Sequence, residues 1–292
     1  MYHDERIVPN KWLYHGLLFI PVKNETQVLE LLSNARLATD CNSVIHFHDL
    51  RDTAVENQLA EAWIDFFCNE LSTMTYFYFI GIDLTKLAQK LWPSHRGDKI
   101  YNRFFQIGLY GGIKWFFLNK EAGFYEVDIH KIFSHTKSRH PRDRFRTQAV
   151  EDIMFKSASK EENICFENPE IIEISDDHRE DTATAEKCQI IQYVDLIIGT
   201  LSQTFDYTSQ HLGKCIVADK LCANNLPFEI LYTNKPNFRS YFYKKYAVSF
   251  FPRDKIPELD ILENAITTAK NQFYQYREAK YLRRYQGSLF GE

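Results

Sequence analysis

Tyr76-Phe77-Tyr78-Phe79-Ile80-Gly81-Ile82-Asp83 is an unbroken aromatic and β-branched run that closes on a glycine and an acid. Such residues fit a pleated surface, and a run without polar alternation has both faces covered, so it predicts a central strand. A second apolar run, Leu13 to Ile20, carries Gly16 inside it and stops at Pro21, which predicts another buried strand. Val28, Leu31, Leu32 and Ala35 recur at helical spacing, and Val55, Leu59, Ala62, Trp63, Phe66 and Phe67 trace one helix face. Val44 to His48 between them is short and β-prone. Downstream, Ile100 to Leu118 predicts a long buried helix and Phe124 to Phe133 a strand. Pro141 to Phe155 predicts a helix, since proline suits a first helical turn. Ile171, Ile172 and Ile174 mark a short strand within an acidic stretch, Glu161 to Glu186, and a helix from Lys187 to Phe205 follows. Strands that come early and alternate with helices argue for an α/β protein.

A chain of 292 residues accommodates one large domain or a core with an appendage. In the last hundred residues helix outweighs strand: Leu259, Leu262, Ile266, Ala269, Phe273 and Tyr276 alternate spacings of three and four, an apolar seam. The expected division is a core over residues 1–206 and a mainly helical extension over 207–292 packed on it.

Composition excludes several classes. The six cysteines contain no C-x-x-C pair and are too sparse for a disulfide scaffold, so reduced, mostly buried thiols are expected. The opening residues hold no apolar run of signal-peptide length, and nowhere do eighteen apolar residues occur together, so the expectation is a cytoplasmic protein off the membrane. No nucleophile elbow, phosphate-binding loop or dinucleotide fingerprint is present. A formal net charge of -4 neither demands nor excludes a nucleic-acid partner.

Two constellations could carry chemistry. Asp4-Glu5 sets two carboxylates side by side before the first strand-like run, and a divalent cation relieves such repulsion; a solvated turn is the plain alternative. In the helix after residue 187, Ile190, Val194, Ile197, Ile198 and Leu201 form an apolar face, with Gln192, Asp195 and Gly199 on a neighbouring stripe. An unpaired buried carboxylate costs several kcal/mol, so Asp195 needs a partner, a metal or an exit to solvent. Gly199 removes a side chain one turn on, where something approaches closely.

The order of these features resembles a bacterial and phage family catalogued as domain of unknown function number 3800, in the RNase H-like superfamily. The series is Asp4-Glu5, then Ile45-His46-Phe47-His48-Asp49-Leu50, then Gly81-Ile82-Asp83-Leu84, then Ile191-Gln192 with Asp195-Leu196-Ile197 and Gly199. The resemblance covers residues 2–206. It implies an RNase H-like mixed central sheet with flanking helices, Asp4 with Glu5 as first-strand metal ligands and Asp195 as the closing-helix ligand. It also implies Mg2+ or Mn2+ as cofactor and phosphodiester hydrolysis of DNA or RNA. Oxygen ligands suit hard divalent cations, and two such ions activate water and stabilise the leaving oxygen.

The chain departs from the family pattern twice. Val44 stands where an acid is expected before Ile45-His46, leaving His46, His48 and Asp49 as polar candidates, of which His46 is the expected ligand. Ser134-His135 stands where a strand-end Asp is expected, and Asp176 or Asp177 could supply that acid. Histidine favours manganese over magnesium. The alternative is a catalytically degenerate module that binds nucleic acid or a partner protein. For substrate contact the expectation is Lys137, Arg139, Arg142, Arg144 and Arg146, a basic segment near the site. Two further basic and tyrosine-rich sets begin at Arg239 and Lys270.

Overall fold

The computed structural model describes residues 1–9, 11–52, 55–87, 97–118, 126–137, 143–160, 162–179, 184–206, 209–223 and 245–251. In chain order the described elements are β1 (Tyr2–Val8), β2 (Trp12–Phe19), α1 (Glu25–Thr39), α2 (Val55–Cys68), α3 (Leu71–Met74), β3 (Tyr76–Asp83), α4 (Gly97–Phe117), β4 (Glu126–Ile129), β5 (Ile132–His135), α5 (Phe145–Ala158), β6 (Asn163–Phe166), β7 (Ile171–Ile174), α6 (Ala185–Asp206), α7 (Leu212–Ala223) and β8 (Tyr246–Phe251). Six strands make one mixed sheet in the order β7-β5-β1-β2-β3-β8. β1, β2 and β3 form an antiparallel meander; β5 and β7 continue it parallel to β1, and β8 lies parallel to β3. The fold is thus α/β with helices on a mixed central sheet, as the alternation of apolar runs predicts.

Strand side chains point alternately to opposite faces, and here each face has its own core. Tyr2, Tyr14, Leu18, Phe77 and Phe79 pack on one side with the apolar residues of α1, α2 and α6. Leu13, Leu17, Tyr78, Ile80 and Ile82 pack on the other with those of α4 and α5. β3 is interior because both of its faces are covered, as its unbroken apolar run requires. α6 is buried nearly all round, from Cys188 through Leu201. It lies against β1 and β2 below and against α1, α2 and α7 beside it. Its close approach depends on Gly16, where an added Cβ would stand 2.5 Å from Ile198 Cγ1.

Several elements differ from expectation. Phe124 to Phe133 is not one strand: β4 and β5 are separated at His130-Lys131, and β4 leaves the main sheet to pair with β6. Val44 to His48 is not a strand either; it is irregular and then turns into a short 3-10 helix, Phe47–Asp49. The α5 helix begins at Phe145, whose N–H is accepted by Asp143 at 3.1 Å, while Pro141 lies outside the described residues. From the expected extension, β8 joins the sheet edge and α7 packs on α2 and α6. The Leu259–Tyr276 seam and the basic set beginning at Lys270 lie outside the described residues, as does most of the set beginning at Arg239. Among the described residues, five cysteines are free thiols and no helix is long and apolar enough to cross a membrane.

Candidate functional site

Parallel pairing sets three strand ends side by side. His3 of β1 lies opposite Ser134 of β5, and His135 lies opposite Ile174 of β7. Asp4, His135 and Asp176, two residues past the end of β7, therefore line up across the sheet. His135 Nδ1 is 3.3 Å from Asp4 Oδ1, and its Nε2 is 3.1 Å from Asp176 Oδ2. His46 reaches in from the segment before the 3-10 turn, its Nε2 3.3 Å from the same Asp176 oxygen. Its Nδ1 stands 3.9 Å from Asp195 Oδ2 on α6. Three carboxylates and two imidazoles thus alternate in one chain: Asp4, His135, Asp176, His46, Asp195.

The stripe on α6 is what holds the His46 segment. Gln192 Oε1 accepts from the Ile45 N–H at 3.1 Å and from Arg36 Nη2 at 2.6 Å. One turn on, Asp195 Oδ2 accepts from the Phe47 N–H at 2.7 Å. A further turn on, a Cβ at Gly199 would stand 2.0 Å from Phe47 Cγ. The segment needs no strand partner because helix side chains satisfy its N–H groups. That is the physical reason a β-prone sequence stays out of the sheet.

Burial shapes the electrostatics. Asp4 is only 4% exposed. Burial pushes its carboxyl up to about 7, with Glu5 and Asp195 adding to the rise and His135 opposing it. Burial likewise raises the Asp195 carboxyl, against the pull of the Phe47 N–H, His46 and Arg6. For His135, burial opposes protonation, yet the contacts with Asp176 and Asp4 prevail and raise it to about 11. The contact with His135 holds Asp176 below its ordinary range despite partial burial. His135 is therefore an imidazolium that supplies positive charge between two carboxylates.

Of the expected ligands, Asp4, Asp195 and His46 come together, and His135 and Asp176 join them. Glu5 does not. Neighbours on a strand face opposite ways, and Glu5 turns to the α4 side, where it accepts from Tyr101 Oη at 2.8 Å and pairs with Lys137. Asp177 also turns away, to Arg179 at 2.6 Å, and His48 meets Asp49 at 3.1 Å.

The basic segment is internally paired where it is described. Lys137 pairs with Glu5, Arg144 with Glu151 at 2.6 Å and Arg146 with Glu173 at 2.8 Å. Arg139 and Arg142 lie outside the described residues. Two cations that the motifs did not single out stand nearer the carboxylates. Arg6 Cζ lies 4.9 Å from the Phe47 ring centre and Lys214 Nζ 5.5 Å from it. Arg6 was readable in principle, two residues after Asp4 on the same strand face. Lys214 carried no local signal.

A hard divalent cation suits the oxygen donors of Asp4, Asp176 and Asp195, and imidazole nitrogen from His46 or His135 is better tolerated by manganese than by magnesium. Two carboxylates whose proton affinity burial raises, with Asp195 adding to the rise at Asp4, are a donor set that fits a cation. Among the described residues, the three ligand atoms that all lie within 4.8 Å of one another belong elsewhere, to exposed Glu126, Asp128 and Cys165. Comparison with protein families, with curated proteins and with solved structures finds no match for this chain.

Proposed function

We propose that this protein is an RNase H-like, divalent-metal-dependent phosphodiester hydrolase acting on DNA or RNA. The observation that carries the reading is the convergence of Asp4, on an interior strand, with Asp195, on the helix packed across it. Burial raises the proton affinity of both, and Asp195 adds to the rise at Asp4. The meander β1-β2-β3, extended by parallel strands beyond β1, supports the same reading. Asp4, Asp176 and Asp195 would hold Mg2+ or Mn2+, with His46 as a nitrogen ligand. When bound, such ions lower the proton affinity of water and stabilise a leaving oxygen. The residues themselves provide a partly dry acidic pocket, an α6 stripe that fixes the His46 segment, and an imidazolium at His135 that holds the carboxylates while no cation does so.

A second reading has an observation of its own. His135 already supplies a positive charge between Asp4 and Asp176, so two of the three carboxylates have a cationic partner without metal. This favours a degenerate module that binds nucleic acid or a partner protein without cleaving. Cleavage of labelled single- and double-stranded DNA and RNA with Mn2+ or Mg2+ separates the two. Hydrolysis by the native chain that falls at least about 100-fold in an Asp4→Asn, Asp195→Asn variant supports the enzyme, since the loss of ligands that tune a metal costs on that order. Equal hydrolysis by both proteins overturns it, and no hydrolysis by the native chain leaves the binding module.

A further inference from the structure

Two cations, Arg6 and Lys214, stand against the ring of Phe47. Phe47 donates its N–H to Asp195 at 2.7 Å while its ring lies 4.9 Å from the Arg6 guanidinium carbon and 5.5 Å from the Lys214 ammonium. Lys214 is 7% exposed, and among the described residues no carboxylate pairs with it or with Arg6. Arg6 Nε is buried without a hydrogen-bond partner. Buried donors are almost always satisfied, so an orphan guanidinium N–H beside a buried lysine asks for an acceptor. Arg51 belongs to the same region. Its carbonyl accepts from the Gly213 N–H at 3.0 Å, immediately before Lys214.

Like charges held together by a fold repel, and among the described residues no carboxylate forms an ion pair with either. Burial, with Arg51 and Arg6, holds the Lys214 ammonium below its ordinary range, while Asp49 and Asp195 act the other way without forming an ion pair. Local contacts fix the start of α7. Leu212 donates its N–H to Asp52 at 2.7 Å, fixing the first turn of α7, and Gly213 leaves no room for a side chain, since an added Cβ would stand 2.2 Å from Asn57 Oδ1.

We propose that Arg6 and Lys214, set against the Phe47 ring, form an anion subsite that takes a backbone phosphate of a nucleic acid next to the carboxylate site. This rests on the hydrolase reading for the identity of the ligand, though not for the existence of the subsite. Arg6 presents a planar fork suited to phosphate oxygens, and Lys214 a point charge. The subsite takes a phosphate adjoining the one to be cleaved, so that the carboxylates and the cations beside Phe47 act on neighbouring phosphates. Substrate positioning thereby passes from the internally paired segment Lys137 to Arg146 to residues that the fold leaves unpaired.

The test uses the full chain in metal-free buffer, so that binding is read without chemistry. Lys214→Met and Arg6→Gln remove charge while keeping most of the side-chain volume, and circular dichroism checks the fold of each. Anisotropy of a fluorescent single-stranded oligonucleotide is titrated with salt. Each variant is expected to weaken binding about tenfold and to lower the slope of log affinity against log salt by about 0.7, one phosphate contact on a single strand. In parallel, inorganic phosphate is expected to raise the melting temperature of the native chain but not of either variant. A phosphate shift that needs Arg6 and Lys214, without oligonucleotide binding, upholds the subsite and sinks the nucleic-acid reading. Oligonucleotide and phosphate effects that are the same in native and variant chains, or absent from all three, overturn the subsite.

Discussion

His135 Nδ1 stands 3.3 Å from Asp4 Oδ1, so a histidine at the end of β5 faces the carboxylate that the neighbouring strand buries. The two groups shift in the same direction for different reasons. Asp4 moves from 3.8 to about 7 because burial penalises its charge. His135 moves from 6.5 to about 11 because its two carboxylate contacts outweigh burial. Both changes make the folded state hold protons more tightly than the unfolded chain does, and linkage converts that into a pH dependence of stability.

The first prediction follows from those signs. Asp4 costs stability as pH rises from 3.8 to about 7, because the unfolded chain gives up its proton first. The contribution of His135 is complete below 6.5 and fades as pH rises through about 11. Asp4→Asn removes the first penalty while leaving an oxygen for His135. In metal-free buffer above pH 7 the variant is expected to melt higher than the native chain, with a flatter profile on the acid side. Equal melting temperatures at every pH would mean that Asp4 carries no burial penalty.

A second prediction concerns competition between protons and metal. Ligands must shed protons before a cation binds. If Asp4 is a ligand, the stabilisation by Mn2+ should grow as pH rises toward and past about 7. Calorimetric titration in two buffers of different ionisation enthalpy should show proton release on binding. A Mn2+ shift independent of pH, with no proton release, would place the ion away from Asp4; the exposed Glu126, Asp128 and Cys165 group would be the next place to look.

The third prediction tests the docking of Phe47. Gly199→Ala gains about 1 kcal/mol in helix propensity, but its Cβ would meet Phe47 atoms at 2.0, 2.3 and 2.5 Å. Overpacking on that scale costs about 1–3 kcal/mol, so the clash is expected to win and the denaturation midpoint to fall. In a Phe47→Ala background the clash is gone, and the same substitution should become neutral or stabilising. A destabilisation of equal size in both backgrounds would show that Phe47 is not what Gly199 accommodates.

Much of this architecture could be read along the chain, and the failures have physical causes. The runs that became β2, β3 and α6 are apolar over most of their length because both sides are covered, and such segments carry their own signal. Asp195 stood out as an acid inside an apolar run, and Asp4 as one of two adjacent carboxylates. Glu5 was grouped with Asp4 by adjacency, although strand geometry separates neighbours to opposite faces. Val44 to His48 looked like a strand because its partner is a pair of side chains on α6, Gln192 and Asp195, a tertiary fact with no local trace. His135 and Asp176 entered the reading as departures and stand-ins; parallel pairing of β1, β5 and β7 is what brings them to Asp4. The charge of Lys137, Arg144 and Arg146 was visible, but the carboxylates that meet it lie at distant positions of the chain or across a helix.

A fourth prediction addresses Gln192, the joint between α1, the His46 segment and the loop after β7. It is fully buried, accepts from Arg36 and Ile45, and donates to the carbonyl of Asp176. Gln192→Leu keeps volume but leaves the Ile45 N–H and part of the Arg36 guanidinium without acceptors. A buried unsatisfied group costs about 1–3 kcal/mol, more beside a charge, so a loss of at least about 2 kcal/mol is expected by urea denaturation. Gln192→Glu retains the acceptor and should be milder. If the leucine variant were as stable as the native chain, the hydrogen bonds at Gln192 would not be what positions His46.

The last prediction concerns Arg144 and Arg146, whose charges are already met by Glu151 at 2.6 Å and Glu173 at 2.8 Å. Arg144 and Glu151 are both exposed, and exposed ion pairs contribute about 0–1 kcal/mol, so Arg144→Ala should leave the melting temperature nearly unchanged. Adding Arg146→Ala should lower it, because the Glu173 side chain is only 6% exposed and loses its cation. The consequence for nucleic-acid binding is sharper. A cation that releases counterions on contact with phosphate adds close to one unit to the salt slope, whereas one neutralised by its own carboxylate adds little. The double variant is therefore expected to lower the slope for oligonucleotide binding by less than about one unit, rather than the two that free arginines would give. Glu151→Gln with Glu173→Gln provides the converse: freeing the arginines should tighten binding and steepen the slope. A fall of two units in the alanine variant would mean that the arginines leave their carboxylates for phosphate, restoring the segment from Lys137 to Arg146 as the principal contact surface.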